Sequence, residues 1–333
     1  MSSTYTSPKA WLPTHHWRRC GLRYFSYKFF LQKHFGTRVQ RVSLDGGFAC
    51  PNADGHIGSE GCIFCDAGSF SPSRRAARTA DRLPGISEQL DEGIARLQRR
   101  YRHCTRFLAY FQPATNTHAP VERLRAVYEP AIQHPQVVGI AIGTRPDCVP
   151  PSVLDLLEAM ARQTFVSVEY GVQTSHDGSL QWMNRGHGHD ATVDAVTRSH
   201  GRGFEIGAHL ILGLPAESRQ DMVATARELA RLGIDAVKLH NLHAVAGTPL
   251  ADQVRRGDVR LIDRHHYVQA VVDILEVLPP HVVIQRIGGD APRQYLVGPR
   301  WCLDKSGLHR ALQLELERRN TWQGKRAAEL PPE

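Results

Sequence analysis

Three cysteines, Cys50, Cys62 and Cys65, lie in one glycine-rich stretch and could bind a metal centre together. Two residues separate Cys62 from Cys65, a spacing that lets two thiolates reach one inorganic centre. Five glycines between residues 45 and 66 allow the chain to bend so that Cys50 supplies a third thiolate. Three cysteines on a four-iron cluster would leave one iron open for chemistry, whereas closed zinc sites and electron-transfer clusters usually have four protein ligands.

The same cysteines could instead form a disulfide or bind zinc. A disulfide is disfavoured, because the seven cysteines of the chain are an odd number and nothing marks the protein as secreted. A zinc site formed by the three cysteines with His56 is the stronger competitor, since three cysteines and one histidine are a common zinc-ligand set. That alternative would make the chain a zinc-bearing RNA-binding protein without enzymatic activity.

The composition is that of a globular protein, with 333 residues, 41% of them hydrophobic and 22% charged. No run of about 18 apolar residues is present, so no membrane span is expected. The N-terminus lacks the pattern of a signal peptide, which predicts a cytoplasmic protein. The reducing cytoplasm also suits free thiolates.

The net charge of +8 is concentrated at the start of the chain, where residues 1–40 contain seven Lys or Arg, no Asp or Glu and nine aromatic residues. Such a segment could bind RNA through phosphate contacts and base stacking. Alternatively, the aromatic side chains could pack against the main domain while the charges stay in solvent, and both can hold together. The aromatic residues include Trp11, Trp17, Tyr24, Phe25, Tyr27, Phe29 and Phe30.

Six apolar runs alternate with helical patterns after residue 38, which predicts a parallel sheet built from β/α units. The runs cover residues 39–44, 106–111, 137–143, 165–173, 204–212 and 235–239. Apolar residues recur at helical spacing from Ile86, from Val153 behind a predicted Ser152 cap, and from Met222 up to a stop at Gly233.

Polar residues follow each predicted strand, as they do in barrels whose strand ends meet at one rim. The first strand lacks the G-x-G-x-x-G of a dinucleotide-binding sheet. We therefore predict an α/β fold, a partial (β/α)6 TIM-like barrel, over residues 38–244. The basic aromatic segment 1–37 would precede it, and a C-terminal extension, residues 245–333, would pack on it.

Further motifs occur in order along residues 38–310. They are VSLDGG at 42–47, YFQ at 110–112, TNT at 115–117, GTRPDC at 143–148, NRGH at 184–187, ILGLP at 211–215 and VKLH at 237–240. With the cysteine loop, these motifs resemble radical S-adenosylmethionine (SAM) enzymes, and in particular the small bacterial family related to the Elongator catalytic subunit. The loop has eleven residues between its first two cysteines, in place of the three usual in radical SAM enzymes.

The resemblance implies that Cys50, Cys62 and Cys65 bind a [4Fe-4S] cluster whose open iron binds SAM. Reduction of the cluster would cleave SAM to methionine and a 5′-deoxyadenosyl radical that abstracts hydrogen from a substrate. The resemblance also implies a partner protein that supplies one electron, such as flavodoxin or ferredoxin.

The resemblance also implies which residues bind SAM, because its motifs match positions that bind SAM in the family. Gln112, Thr115 and Asn116 follow the second strand, where the family binds the methionyl amino group, although their composition departs from the usual Gly-Gly-Glu. Glu169 and Gln173 lie on one face of the fourth strand and could bind the ribose hydroxyls. A polar turn without a ligand is the alternative role of residues 112–116.

Arg185 could bind the methionine carboxylate, with a solvent-exposed position as its alternative. Leu212 and Gly213 belong to the motif against which the adenine packs in the family.

Arg145, Asp147 and His240 are the candidate catalytic residues, because each follows or ends a predicted strand and should lie at the rim. Cys148 and Cys302 could donate a hydrogen atom, although a lone cysteine is more often a small buried hydrophobe. Further candidates on the substrate side are His187, His243 and Arg286.

The Elongator-type relatives act on the wobble uridine of tRNA, and one branch of the small family is associated with converting its carboxymethylaminomethyl side chain to aminomethyl. The resemblance therefore implies tRNA as substrate and partner. A small molecule or a peptide is the alternative substrate.

Overall fold

Seven parallel strands form one open sheet in the computed structural model, which describes residues 16–66 and 83–327. In spatial order they are β1 (Val39–Leu44), β2 (Arg106–Phe111), β3 (Val137–Thr144), β4 (Phe165–Gln173), β5 (Glu205–Leu212), β6 (Ala236–Asn241) and β8 (Val283–Ile287). A separate antiparallel pair joins β7 (Ala244–Val245) to β9 (Leu296–Gly298). The six predicted strands are confirmed, and a seventh comes from the segment predicted to be an extension.

Two N-terminal helices, α1 (His16–Arg19) and α2 (Tyr27–Phe35), precede the sheet. The helices that pack on one face of the sheet, here called the outer face, are α3 (Ile86–Arg100), α4 (Val121–Gln133), α5 (Pro151–Ala161), α7 (His189–Ser199), α8 (Arg219–Arg231), α10 (Arg264–Val277) and α11 (Lys305–Arg318). Helices α6 (Asp177–Trp182) and α9 (Pro249–Arg256) contribute instead to a separate apolar cluster that includes Ile63 and Phe64 of the cysteine loop. None of the helices in the described ranges is long and apolar enough to cross a membrane.

The strands are apolar because both faces of the sheet are covered. On β3, Ile140 and Ile142 enter the core under the helices, while Ala141 enters a second core on the inner face. Side chains alternate between faces along a strand, so a run without polar interruption indicates burial on both sides.

Two predicted helix boundaries have different outcomes. Helix α5 begins at Pro151 with Pro150 as its N-cap residue, so the predicted Ser152 cap is wrong. Proline is favoured at the first helical position, because its fixed φ suits the helix and it has no N–H to satisfy there. The stop of α8 is confirmed, since Gly233 adopts a φ of 76° directly after the C-cap residue.

The N-terminal segment is part of the inner core. Trp17, Phe25 and Phe30 are buried, and the Phe30 and Phe165 ring centroids are 6.2 Å apart. The backbone N–H of Ile284 on β8 donates to the carbonyl oxygen of Phe25 at 2.8 Å. The packing alternative is therefore confirmed for these aromatic residues.

The remaining residues of this segment differ in exposure. Tyr27 is buried, and Tyr24 and Phe29 are partly exposed. Trp11 lies outside the described residues. Among the described residues 16–40, the exposed cations are Arg18, Arg19, Lys28, Lys33 and Arg38.

Candidate active site

The loop that carries the three cysteines is anchored at both ends. The side chain of Gln89 on α3 holds its start, since it accepts from the N–H of Asp45 and donates to the Asp45 carbonyl oxygen, both at 2.9 Å. At the other end, the N–H of Ile63 donates to the Met183 carbonyl oxygen, and the Ile63 carbonyl oxygen accepts from Leu250. The loop is therefore fixed by elements distant in sequence.

Inside the loop, polar groups surround the thiol of Cys62. Asn52 Nδ2 and Arg185 Nη1 each lie 3.6 Å from Cys62 Sγ, within reach of N–H···S hydrogen bonds. Cys62 is buried, Cys50 is half-buried, and Cys65 lines the cavity described below. Hydrogen bonds to a cysteine sulfur stabilise its thiolate and tune an iron–sulfur cluster, so these donors suit a metal-ligating role.

The electrostatics of the three thiols suit a metal centre. Desolvation, together with the neighbouring thiols of Cys62 and Cys50, raises the pKa of Cys65 to about 12. A bound metal centre would supply the positive charge that stabilises a thiolate at Cys65. The residues present therefore fit a cluster with three cysteine ligands.

The geometry does not suit the zinc alternative. In the part of the chain that the structure describes, one trio of metal-binding side chains has all its ligand atoms within 4.8 Å of one another, and it is Asp54, His56 and His118. Ligand sulfurs on one tetrahedral zinc ion lie about 3.8 Å apart. His56 thus faces Asp54, at 3.1 Å, and does not form a compact four-ligand set with the cysteines.

Arg145 and Asp147 lie together beside the cysteine loop. The guanidinium donates from Nε to Asp147 Oδ1 at 2.9 Å and from Nη2 to Oδ2 at 2.7 Å. Its Nη1 is buried without a hydrogen-bond partner. The structure therefore brings both candidates to the rim, next to Cys50, with one donor left for a ligand.

Arg185 is buried, so the alternative of an exposed side chain is wrong. Its Nη2 donates to the Gly171 carbonyl oxygen at the end of β4 at 2.6 Å, and its Nε is buried without a partner. The buried guanidinium suits an anionic ligand between the cysteine loop and the strand ends, and its contact with SAM stays a prediction.

Residues 112–116 connect the ends of two strands. Asn116 Nδ2 donates to the carbonyl oxygens of Phe111 at 3.1 Å and Gly143 at 2.8 Å. Thr115 is buried, and its N–H donates to the Ala49 carbonyl oxygen in the cysteine loop. Gln112 instead lines the cavity. Asn116 and Thr115 thus position the connection between the strand ends and the cysteine loop. The contacts of both residues with SAM stay predictions.

A cavity of about 500 Å³ lies on the inner face, between the cysteine loop and the strand ends. Cys65, Gln112, Gln173 and His240 line it, so four predicted site residues meet there. Gln173 has a φ of 71°, which is unusual for a residue other than glycine and occurs often at functional sites.

Below the rim, Glu169 is buried in an ion pair with Lys238. His209 Nε2 lies 3.0 Å from the same carboxylate oxygen, and the Lys238 ammonium also donates to Tyr110 at 2.8 Å. Burial alone would raise the pKa of Glu169, but Lys238 and His209 more than offset it and hold this pKa well below its ordinary range. Glu169 Oε1 has no hydrogen-bond partner and is available to a ligand. Its contact with the SAM ribose stays a prediction.

The adenine motif divides between the two faces of the sheet. Leu212 lies in the outer core, whereas its neighbour Ile211 lines the cavity. Gly213 has a φ of 85°, and a Cβ there would lie 2.7 Å from Ile262. Close packing against Ile262 thus explains this glycine without a ligand.

Four residues without a role predicted from the sequence also line the cavity, namely Arg41, Tyr110, Lys238 and His209. A signal was available, since Lys238 and His240 alternate with apolar residues on one buried strand. Among the further candidates, His243 and Arg286 also line the cavity. Cys148 and Cys302 are buried, and desolvation raises their pKa values to about 12 and about 11.

Comparisons with known proteins agree with the resemblance to radical SAM enzymes. The sequence model of the Radical SAM superfamily matches residues 55–229, and the Radical_SAM C-terminal domain model matches residues 234–318. The first match begins after Cys50. The uncharacterized protein YtqA of Bacillus subtilis is 39% identical over 306 residues, which cover 91% of this chain and 92% of the relative.

Two further matches concern an enzyme and a fold. A tRNA uridine(34) acetyltransferase of Methanocaldococcus jannaschii is 27% identical over 164 residues, 48% of this chain and 30% of that protein. The structure of Elp3 from Methanocaldococcus infernus superposes with a TM-score of 0.61 at 17% identity, covering 86% of this chain and 64% of that one. The superposition confirms the predicted α/β partial-barrel fold.

Proposed function

The chain belongs to the radical SAM superfamily, and we propose that it modifies the C5 side chain of the wobble uridine of tRNA. As a radical SAM enzyme it uses a [4Fe-4S] cluster and SAM, which when bound supply a 5′-deoxyadenosyl radical through one-electron cleavage of SAM. A cytoplasmic location and a flavodoxin or ferredoxin as electron donor are part of the proposal.

We assign the cluster to Cys50, Cys62 and Cys65. Arg185 and Asn52 support that assignment, because both reach Cys62 Sγ and would stabilise its thiolate. The unpartnered buried nitrogens of Arg145 and Arg185 would orient a ligand that carries a carboxylate, such as SAM.

The chain then has to hold the substrate carbon close to SAM and keep water away. We assign both tasks to the inner cavity, which borders Cys65 at the rim and is walled by the strands of the sheet. Exclusion of water around a reacting group suppresses the side reactions of a radical.

The observation that carries the tRNA proposal is a second cavity, of about 460 Å³, at the seam between α2 and β8. Lys28, Lys305 and His309 line it, whereas Arg41, Arg286 and Asp290 line both this cavity and the inner one. We interpret this cavity, whose lining has four Lys or Arg and one carboxylate, as a basic entrance to the inner cavity, which suits a nucleotide whose base enters while its phosphates stay at the mouth. The match to a tRNA uridine(34) acetyltransferase supports the same substrate class.

The test is an anaerobic assay of the holoenzyme with SAM, a reductant and tRNA from cells that lack this protein. We expect tRNA to accelerate formation of 5′-deoxyadenosine and the mass of the wobble nucleoside to change in a digest analysed by mass spectrometry. Cys62→Ala should abolish both signals, and Cys104→Ala, at a buried thiol outside the loop, should retain them. SAM cleavage that ignores tRNA, with every nucleoside mass unchanged, would refute the tRNA proposal and favour a small molecule or peptide.

A second measurement tests the basic entrance. Deleting residues 1–36 is unsuitable, because it removes Trp17, Phe25 and Phe30 from the core. The exposed cations Lys28 and Lys305 should be changed to Gln instead. We expect weaker tRNA binding and a smaller dependence of affinity on salt. An unchanged salt dependence would show that tRNA does not contact this entrance.

A further inference from the structure

One cation of the inner cavity lacks an anionic partner. Lys238 pairs with Glu169, and Arg286 pairs with Asp290. In the described ranges 16–66 and 83–327, Arg41 has no carboxylate within 4.0 Å, and its Nη1 is buried without a hydrogen-bond partner. Arg41 is therefore a cation of the inner cavity that makes no ion pair with the described residues.

Two aromatic rings hold Arg41 in place. Its guanidinium carbon lies 5.1 Å from the ring centroid of Tyr27 and 5.4 Å from that of Tyr110. Aromatic contacts position a guanidinium without using its N–H groups, which stay available to an acceptor. The N–H groups of the Arg41 guanidinium are thus free to donate to an acceptor on a ligand.

A second donor candidate lines the same cavity. His240 Nε2 is buried without a partner, and its ring centroid lies 5.5 Å from that of His209. Burial, aided by the positive charge of Arg286, keeps the pKa of His240 well below its ordinary value, so the imidazole is neutral at pH 7. A neutral imidazole can donate one hydrogen bond without adding a counter-charge.

We propose that Arg41 is the receptor for an anionic group of the substrate, an oxyanion that enters the inner cavity, which His240 also lines. Two sources share this chemistry, a carboxylate on the reacting side chain and a phosphate of the RNA. That the group belongs to a nucleotide rests on the proposed function, whereas the oxyanion site itself does not.

The physical reason is the cost of an unpaired buried group. A guanidinium nitrogen withdrawn from water without a partner is unfavourable, and a bound oxyanion satisfies both its charge and its hydrogen bond. The planar fork of arginine suits a carboxylate or phosphate better than the ammonium of lysine does. Arg41→Gln should remove the site, and Arg41→Lys should retain only part of it.

The first experiment uses the holoenzyme with acetate and with inorganic phosphate as probes. The melting temperature is measured in each salt against chloride at equal ionic strength, because a ligand that binds the folded state raises it. We expect a rise for the wild type and for Arg162→Gln, an exposed arginine paired with Glu158, a smaller rise for Arg41→Lys, and none for Arg41→Gln. An equal rise in all four proteins, or none in the wild type, would overturn the proposal.

The second experiment separates the two sources. Two anticodon stem-loops are compared whose wobble uridines differ only in a side-chain carboxylate or its neutral methyl ester. We expect the wild type to bind the carboxylate about tenfold or more tightly and Arg41→Gln to bind both RNAs equally, since hydrogen bonds to charged groups are strong. Equal binding by the wild type, with an Arg41-dependent phosphate response, would assign the site to an RNA phosphate.

The outcomes also separate this inference from the proposed function. If neither stem-loop binds while the acetate or phosphate response still depends on Arg41, the oxyanion site stands and the tRNA proposal fails. If both stem-loops bind but no anion response depends on Arg41, the tRNA proposal stands and the oxyanion site is overturned.

Discussion

Glu205 at the start of β5 should make the stability of this protein fall as the pH rises. The carboxyl group is fully buried, and its Oε1 accepts from Ser167 at 2.6 Å and from Gln285 at 2.9 Å, whereas Oε2 has no partner. Burial, with Asp235 and Glu169 adding like charge, raises the pKa of Glu205 to about 8 from an ordinary value of 4.5.

The sign follows from proton binding. At neutral pH the folded state holds a proton on Glu205 that the unfolded state has released, so raising the pH favours unfolding. The contribution is fully present below about pH 4.5 and is lost progressively up to about pH 8, at about 1.4 kcal/mol per pH unit over most of that range. Between about pH 6 and about pH 8 the loss is about 2.3 kcal/mol. Glu205→Gln, which cannot ionise, should not show it.

The assay is urea unfolding of the holoenzyme under anaerobic conditions at several pH values. The free energy of unfolding of Glu205→Gln minus that of the wild type should grow by about 2.3 kcal/mol from about pH 6 to about pH 8. Glu129→Gln, at an exposed residue 3.8 Å from Arg125, should differ from the wild type by a constant amount. A pH-independent difference for Glu205→Gln would refute the reasoning, because it would mean that Glu205 has the same pKa in both states.

Three further predictions concern the cysteine loop and the strand ends. Cys62→Ala should lose iron and the visible absorption of the cluster after reconstitution while Cys104→Ala keeps both, and an equal iron content in the two variants would contradict the ligand assignment. Arg185→Gln should weaken SAM binding at least about tenfold, measured by equilibrium dialysis of the reconstituted protein, because a charge-assisted bond is lost; unchanged affinity would remove Arg185 from the SAM site. Gly213→Ala should lower the free energy of unfolding by about 1–3 kcal/mol, since it adds a Cβ that lies 2.7 Å from Ile262 on a backbone with a φ of 85°, and an unchanged urea midpoint would contradict this.

Most strands could be predicted from the sequence because their signal is local. The runs at 39–44, 106–111 and 165–173 match β1, β2 and β4 residue for residue. The seventh strand, Val283–Ile287, was missed because Gln285 and Arg286 interrupt its apolar pattern. It becomes a strand by pairing with β6, and a pattern within one segment does not report a partner elsewhere in the chain.

Some residues of the site could likewise be predicted from a short stretch of sequence, whereas others depended on the fold. The loop cysteines could be found because their glycine-rich setting and spacing are visible in sixteen consecutive residues, 50–65. The place of Leu212 in the adenine-packing motif came from the resemblance, and the sequence does not test it, since a strand with two buried faces does not reveal which of Ile211 and Leu212 faces inward. The structure turns Ile211 to the cavity and Leu212 to the helices.

By itself, the sequence determined the type of chemistry and the order of the strands, because ligand spacing, motif order and apolar runs are properties of short segments. Only the tertiary structure decided which charges meet. Lys238 and Glu169 are 69 residues apart and lie on strands that are not neighbours in the sheet, yet they form an ion pair across the inner face. That pairing leaves Arg41 without an ion pair, and pairing and burial are set by contacts that exist only after the sheet has formed.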